Sequence, residues 1–131
     1  MKKGFILRSG AAEGADKAFE KGYCQSKNWK DNYANKEIYL PWRGFGGSPS
    51  PYFDPPTECF ELAGSIHPAW ERLSQGAKRL HARNTQQVLG LKLDTPADLV
   101  VCWTPGGTRT AIVLAKQRGI RVINLGKDLI D

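Results

Sequence analysis

Long apolar runs, paired cysteines and blocks of like charge are all missing from this 131-residue sequence, and each gap removes a class of protein. No stretch approaches the roughly 20 apolar residues that span a bilayer. Met1-Lys2-Lys3-Gly4 leads into a strand-like segment instead of the apolar centre of a signal peptide, so a cytosolic chain with no membrane partner is expected. Cys24, Cys59 and Cys102 are odd in number and share no short spacing. That argues against both a zinc knuckle and a disulfide framework, and reduced, mostly buried thiols are expected. The two histidines, His67 and His81, read as lying in different settings with no Cys, Asp or Glu at ligand spacing, so no metal is expected. The basic residues never form a run of five or six, which argues against a disordered nucleic-acid arm. No repeat or low-complexity segment occurs.

What is present is ordinary globular composition, 40% hydrophobic and 24% charged, at a length that supports one core. One domain over residues 1–131 follows. The net charge of +6 favours an anionic partner without choosing among nucleotides, nucleic acids and acidic proteins.

Local patterns predict the order β-α-β-α-α-β-α-β. Gly4 to Arg8 is a short apolar run ending at the Ser9-Gly10 turn, and Glu13 to Cys24 carries small and apolar residues at helical spacing. Lys36 to Pro41 reads as a strand. It is followed by Pro41 to Thr57, which holds five prolines and four aromatics and is expected to form an ordered flap, because Trp42, Phe45, Tyr52 and Phe53 are costly to leave in water. Helices are expected over Thr57 to Ile66 and Ala69 to Gly90, broken at His67-Pro68. In the second, Leu73, Ala77, Leu80, Asn84, Val88 and Leu91 form a stripe, with Arg72, Arg79, Arg83 and Gln86 on other faces. Ala97 to Trp103 reads as a parallel strand covered on both faces. Thr108 to Arg118 reads as a helix closed by Gly119, and Arg121 to Leu125 as the last strand. The fold class is therefore α/β, a small Rossmann-like three-layer α/β/α sandwich with a mostly parallel sheet of about four strands.

In such sheets ligands bind beyond the carboxyl ends of the strands. Two Gly-rich loops fall there, Ser9-Gly10-Ala11-Ala12-Glu13-Gly14-Ala15-Asp16 and Thr104-Pro105-Gly106-Gly107-Thr108, each leading into an expected helix whose first N–H groups attract anions. Neither is a full dinucleotide fingerprint nor a phosphate loop of the NTPases. The candidate ligand-binding residues are Ser9, Gly10, Ala11, Gly14, Asp16, Trp42, Arg83, Asn84, Pro105, Gly106, Gly107 and Thr108. Arg83 is suited to a forked pair of bonds to a phosphate, or else is a solvated helix arginine. Asn84 needs a partner if buried. Trp42 and Phe45, beside Arg43, offer faces on which a base stacks, or else cap the core.

The segments Ser9 to Asp16, Tyr39 to Trp42, His81 to Asn84, Gln87 to Gly90 and Cys102 to Thr108 together resemble a family of small phage and bacterial proteins. These are described as DNA recombination-mediator or DNA-processing-protein-A-like, within the SLOG superfamily of Rossmann-like nucleotide-binding domains. The resemblance runs from about Gly4 to Leu125 and implies the fold more firmly than the function. Such relatives often carry a strand and helix ahead of the Ser-Gly turn, which implies a shortened sheet edge here. Lonely-guy-type phosphoribohydrolases of the superfamily use a Pro-Gly-Gly-x-Gly-Thr-x-x-Glu motif. Here the register reads Pro105-Gly106-Gly107-Thr108-Arg109-Thr110-Ala111-Ile112-Val113, with apolar residues where the catalytic Glu belongs. Glu13, Asp16, Glu58 and Glu61 are substitutes with plainer readings, the first pair at a helix start and the second on an exposed face.

The resulting expectation is a binding module for a nucleotide or nucleotide-derived small molecule, such as a signalling nucleotide, with no catalytic residues and no cofactor. The alternatives are a nucleotide N-glycosidase or transferase, weighed against by the absent Glu, and a single-strand DNA-binding recombination mediator. DNA binding is expected to be weak for want of a basic tract. The reading leaves room for a homodimer or larger homo-oligomer.

Overall fold

A computed structural model describes residues 6–10, 36–102 and 109–124, and among these it shows short parallel strands and three α-helices. Strand β1 (Leu7–Ser9) runs parallel to β2 (Lys36–Ile38), with Leu7 opposite Lys36 and Ser9 opposite Ile38. The sequence pattern ended the first strand at Arg8. Pairing carries it one residue further, because the Ser9 carbonyl accepts the Tyr39 N–H at 2.8 Å. Beyond β2, Tyr39 bridges to Tyr52 and their rings stack with centroids 5.5 Å apart. The proline- and aromatic-rich segment is therefore held against the sheet end.

Helix α1 (Thr57–Ile66) has the bounds the sequence predicts, with Pro56 extended ahead of it and His67 extended behind. The helix expected from Ala69 to Gly90 is divided. A 3-10 turn occupies Trp70–Arg72, Leu73 is extended, and helix α2 (Gln75–Leu89) starts only after Ser74. Ser74 is the cap: its hydroxyl accepts the Ala77 N–H at 3.1 Å, satisfying one of the donors that a helix start leaves unpaired. Replacing Ser74 with alanine is expected to cost about 1 kcal/mol of stability, read as a shift of the denaturation midpoint with an unchanged slope.

The expected stripe on α2 understates its burial. Asn84 and Val88 are buried as expected, but so are Ala82, Arg83, Thr85, Gln86 and Leu89, while Leu91 is exposed. Arg83 and Gln86, assigned by periodicity to other faces, are interior because α2 packs against α1, helix α3 (Arg109–Gln117) and β1 at once. A one-sided stripe describes a helix with one solvent face, and the C-terminal half of α2 has none.

Strand β3 (Leu99–Cys102) pairs in parallel with β4 (Arg121–Asn124). Its expected cover on both faces is not found. Leu99 and Val101 are exposed, whereas Val100 packs on the core and Cys102 is buried. The alternation of a half-covered strand is invisible in Leu-Val-Val-Cys because both faces carry apolar residues. Among the described residues the four strands form two separate parallel pairs, β1 with β2 and β3 with β4, so the fold is mixed α/β.

The main core joins Val88 and Leu89 of α2 to Ala111, Leu114 and Ala115 of α3 and to Ile120, with Leu62, Ile66, Leu93, Val100 and Val122 packed around them. Each fully buried leucine of this kind contributes about 2 kcal/mol by leaving water. Ile38 and Leu40 form a second cluster under Phe45. Gly119, at φ +72°, turns the chain from α3 into β4. Cys59 and Cys102 are buried, as expected, and burial pushes the Cys59 thiol up. The helix expected over Glu13 to Cys24, and Cys24 with it, lies outside the described residues. No helix among the described residues is long and apolar enough to cross a membrane.

Candidate functional site

Parallel pairing places the carboxyl ends of β1 and β2 side by side, and the residues gathered there come from four segments of the chain. Arg83, only 4% exposed, reaches from α2 to this end. Its Nη1 donates to the Gly10 carbonyl and, at 3.1 Å, to the Tyr39 carbonyl, and its Nε donates to Asn84 Oδ1 at 2.9 Å. Its guanidinium lies over the Phe45 ring, 5.3 Å from the centroid. Arg83 is thus not the solvated helix arginine the sequence allowed. It is a clasp: one planar cation binds the first carbonyl past the end of each of two strands, a task that suits the fixed fork of guanidinium. Asn84, also buried, has in Arg83 the partner its position demands.

The other buried polar groups of α2 are matched as well. Thr85 donates to the Ala82 carbonyl at 2.6 Å and Gln86 to the Leu91 carbonyl at 3.3 Å. Ser9 is the exception. It is 2% exposed, and among the described residues its Oγ is the one buried side-chain polar atom with no hydrogen-bond partner in the chain. Leaving a hydroxyl buried and unmatched costs about 1–3 kcal/mol, so such a group in an otherwise satisfied interior calls for an explanation.

Trp42 leans its edge on Phe45, with centroids 5.2 Å apart and planes at 89°, and keeps 38% of its surface exposed. Four of the candidate residues, Ser9, Gly10, Arg83 and Asn84, meet at the strand ends, and Trp42 joins them through Phe45. Ala11, Gly14, Asp16, Pro105, Gly106, Gly107 and Thr108 lie outside the described residues, as do Glu13 and the aligned Thr104. Glu58 and Glu61 sit exposed on α1, in keeping with their plainer reading.

A second polar cluster was not foreseen. His67 and His81, read from sequence as separately placed, lie ring to ring, with centroids 4.7 Å apart and planes at 72°. The reason is helix geometry. α1 and α2 pack together, which brings His67, just past the end of α1, against His81 on α2. No local pattern in the sequence reports that pairing. His81 Nδ1 lies 2.8 Å from Thr110 Oγ1, and His67 Nδ1 accepts the Ala69 N–H at 3.0 Å. Burial, helped by His67 and Arg83 nearby, holds His81 below the ordinary imidazole range. Among the described residues no group of three or more His, Cys, Asp or Glu is placed to hold a metal ion.

A third network locks the outer side of the strand pair. Glu37 Oε1 accepts from Arg8 Nε at 3.1 Å and from the Tyr39 hydroxyl, and Arg8 continues to the carbonyl and Oγ1 of Thr95 at 2.6 and 3.0 Å. Burial, reinforced by the bond to Glu37, holds the Tyr39 hydroxyl well above the phenol range, so it keeps the proton that it donates to Glu37. Comparison of the chain with protein-family models, curated proteins and solved structures found no match.

Proposed function

We propose that the chain is a Rossmann-like domain of the SLOG type, with helices layered on a mostly parallel sheet, that binds a nucleotide or nucleotide-derived anion beyond the carboxyl ends of β1 and β2. The observation that carries this reading is the unmatched, buried Ser9 hydroxyl, at the place where open parallel sheets receive ligands. Supporting it are the cationic Arg83 beneath the same strand ends and the part-exposed Trp42 indole, a surface on which a base can stack. The net charge of +6 suits an anion. Turnover is not part of the proposal: Ile112 and Val113 stand where the related hydrolases carry their acid, and without it an oxocarbenium-like transition state lacks its counter-charge.

Ser9→Ala tests this reading in both states of the protein. Without ligand, the variant is expected to match or exceed the wild type, by up to about 1 kcal/mol, since it removes a buried group that the chain does not satisfy. With ligand, it is expected to lose about tenfold in affinity, the worth of roughly one hydrogen bond. Melting curves with and without a panel of mononucleotides, dinucleotides and ADP-ribose give both answers. A Ser9→Ala protein that is less stable on its own and binds as well as the wild type would mean that the hydroxyl serves the fold and not a ligand.

A further inference from the structure

The histidine pair, His67 just past the end of α1 and His81 on α2, takes no part in the strand-end site, and its contacts have a chemistry of their own. Thr110, 1% exposed, is the second residue of α3, so the bond from His81 Nδ1 fastens the start of α3 to α2. His67 fastens its own segment in the same manner, through Nδ1 to the Ala69 N–H just past the end of α1. That bond requires an unprotonated Nδ1, because an N–H cannot accept from another N–H.

We propose that His81 and Thr110, with His67 packed against the His81 ring, form a proton-operated latch, which holds the start of α3 on α2 while the His81 imidazole is neutral and releases it on acidification. The proposal stands apart from ligand binding and concerns the chain alone. Protonation disturbs the cluster at each contact. At His81 Nδ1 the Thr110 hydroxyl, free to donate to a neutral ring, must turn and accept. The new cation then sits at the first turn of α3, where the helix dipole is already positive. It also faces two basic groups, His67 across the ring contact and Arg83 on the same helix.

Among the described residues no carboxylate offsets that charge. The carboxylates of α1, Glu58 and Glu61, are exposed; on β1, Arg8 is bound to Glu37; on α2, Arg79 pairs with Asp54 and Lys78 lies over the Trp70 ring; on α3, Arg109 and Lys116 are exposed cations. The direction of the effect follows. The closed latch holds His81 below its ordinary value, so the opened form takes up the proton more readily. The stability of the closed form is complete above about pH 6.5 and is lost as the pH falls from there through the depressed value.

The chain has only two histidines, so proton uptake in this window is readily assigned. Carboxylates titrate near pH 4, well below it. The test is hydrogen exchange and NMR titration of the 131-residue chain without ligand, from pH 8 to pH 5. Protection of the α3 amides, corrected for intrinsic exchange, is expected to fall by up to about tenfold per pH unit inside the window, the slope for uptake of one proton. The Thr110 amide shift is expected to follow the His81 imidazole. His81→Gln keeps a hydrogen-bonding partner for Thr110 but cannot be protonated, and should abolish the pH dependence of α3 protection. His67→Gln, measured in the same way, should weaken it. Should either variant fail to fold, the wild-type titration decides alone. α3 protection that is the same at pH 7.5 and pH 5.5, or a drop that persists in His81→Gln, would overturn the latch.

Discussion

Gly90→Ala is expected to lose about 3 kcal/mol or more of folding stability, for two reasons that act at one atom. Gly90 ends α2 with φ +88° and ψ 176°, a region of backbone space that is essentially confined to glycine and costs other residues about 1–3 kcal/mol. A methyl group there would also fall on Thr95 Oγ1, with Arg8 Nη2 and the Thr95 carbonyl each 3.2 Å away. The neighbours cannot easily withdraw. Thr95 is tied back to α2, its N–H donating to the Leu89 carbonyl at 2.8 Å, and Arg8 holds its side chain from the strand pair. Forcing volume into such a place costs about 1–3 kcal/mol beyond the backbone strain. Chemical denaturation of Gly90→Ala, Thr95→Ala and the double variant separates the two terms. The double variant should recover the steric part and keep the strain, so the two substitutions should be non-additive. A Gly90→Ala protein within about 0.5 kcal/mol of the wild type, the scatter of surface substitutions, would contradict the packing described.

Arg83→Ala is expected to cost about 3–5 kcal/mol, the range for removing one member of a buried charged network. Its side chain joins β1, β2 and Asn84 through three acceptors, and truncation would leave the Gly10 and Tyr39 carbonyls and Asn84 Oδ1 without that donor. Arg83→Lys is expected to recover less than half of the loss. A single ammonium on a flexible stem cannot reach all three acceptors in the plane that guanidinium fills, nor stack as well on Phe45. Denaturant midpoints with unchanged slopes would measure both. A lysine variant as stable as the wild type would show that charge alone is needed there, and the clasp would be wrong.

These two positions also show where the sequence was readable and where it was not. The bounds of α1 were legible because Pro56 before it and His67-Pro68 after it interrupt helical geometry on both sides. Gly90 was read only as the end of a helix, since the clash that makes it irreplaceable depends on Thr95 folding back onto α2. Arg83 was noticed for its charge but was misplaced on the helix, because periodicity assumes a solvent face that the C-terminal half of α2 does not possess. The start of α2 was missed although Ser74 is a good cap residue, since Trp-Glu-Arg ahead of it is compatible with helix and gave no reason to stop. Ser9 was chosen for its place at a strand end, and that placement holds, but whether a hydroxyl finds a partner is a property of the packed interior alone. The histidine contact needed the pairing of two helices, which no local pattern reports.

Whether the carboxyl ends of β1 and β2 receive a nucleotide-derived anion is decided by native mass spectrometry of the wild type and Ser9→Ala, each purified from cells without denaturation. Such binding predicts a wild-type species heavier than the polypeptide by the mass of a phosphorylated nucleoside compound, with occupancy sharply reduced in a Ser9→Ala protein that is equally well folded. Bare polypeptide in both samples, with no change on adding millimolar nucleotides of the panel, a concentration at which binding of even about 4 kcal/mol would register, would contradict it.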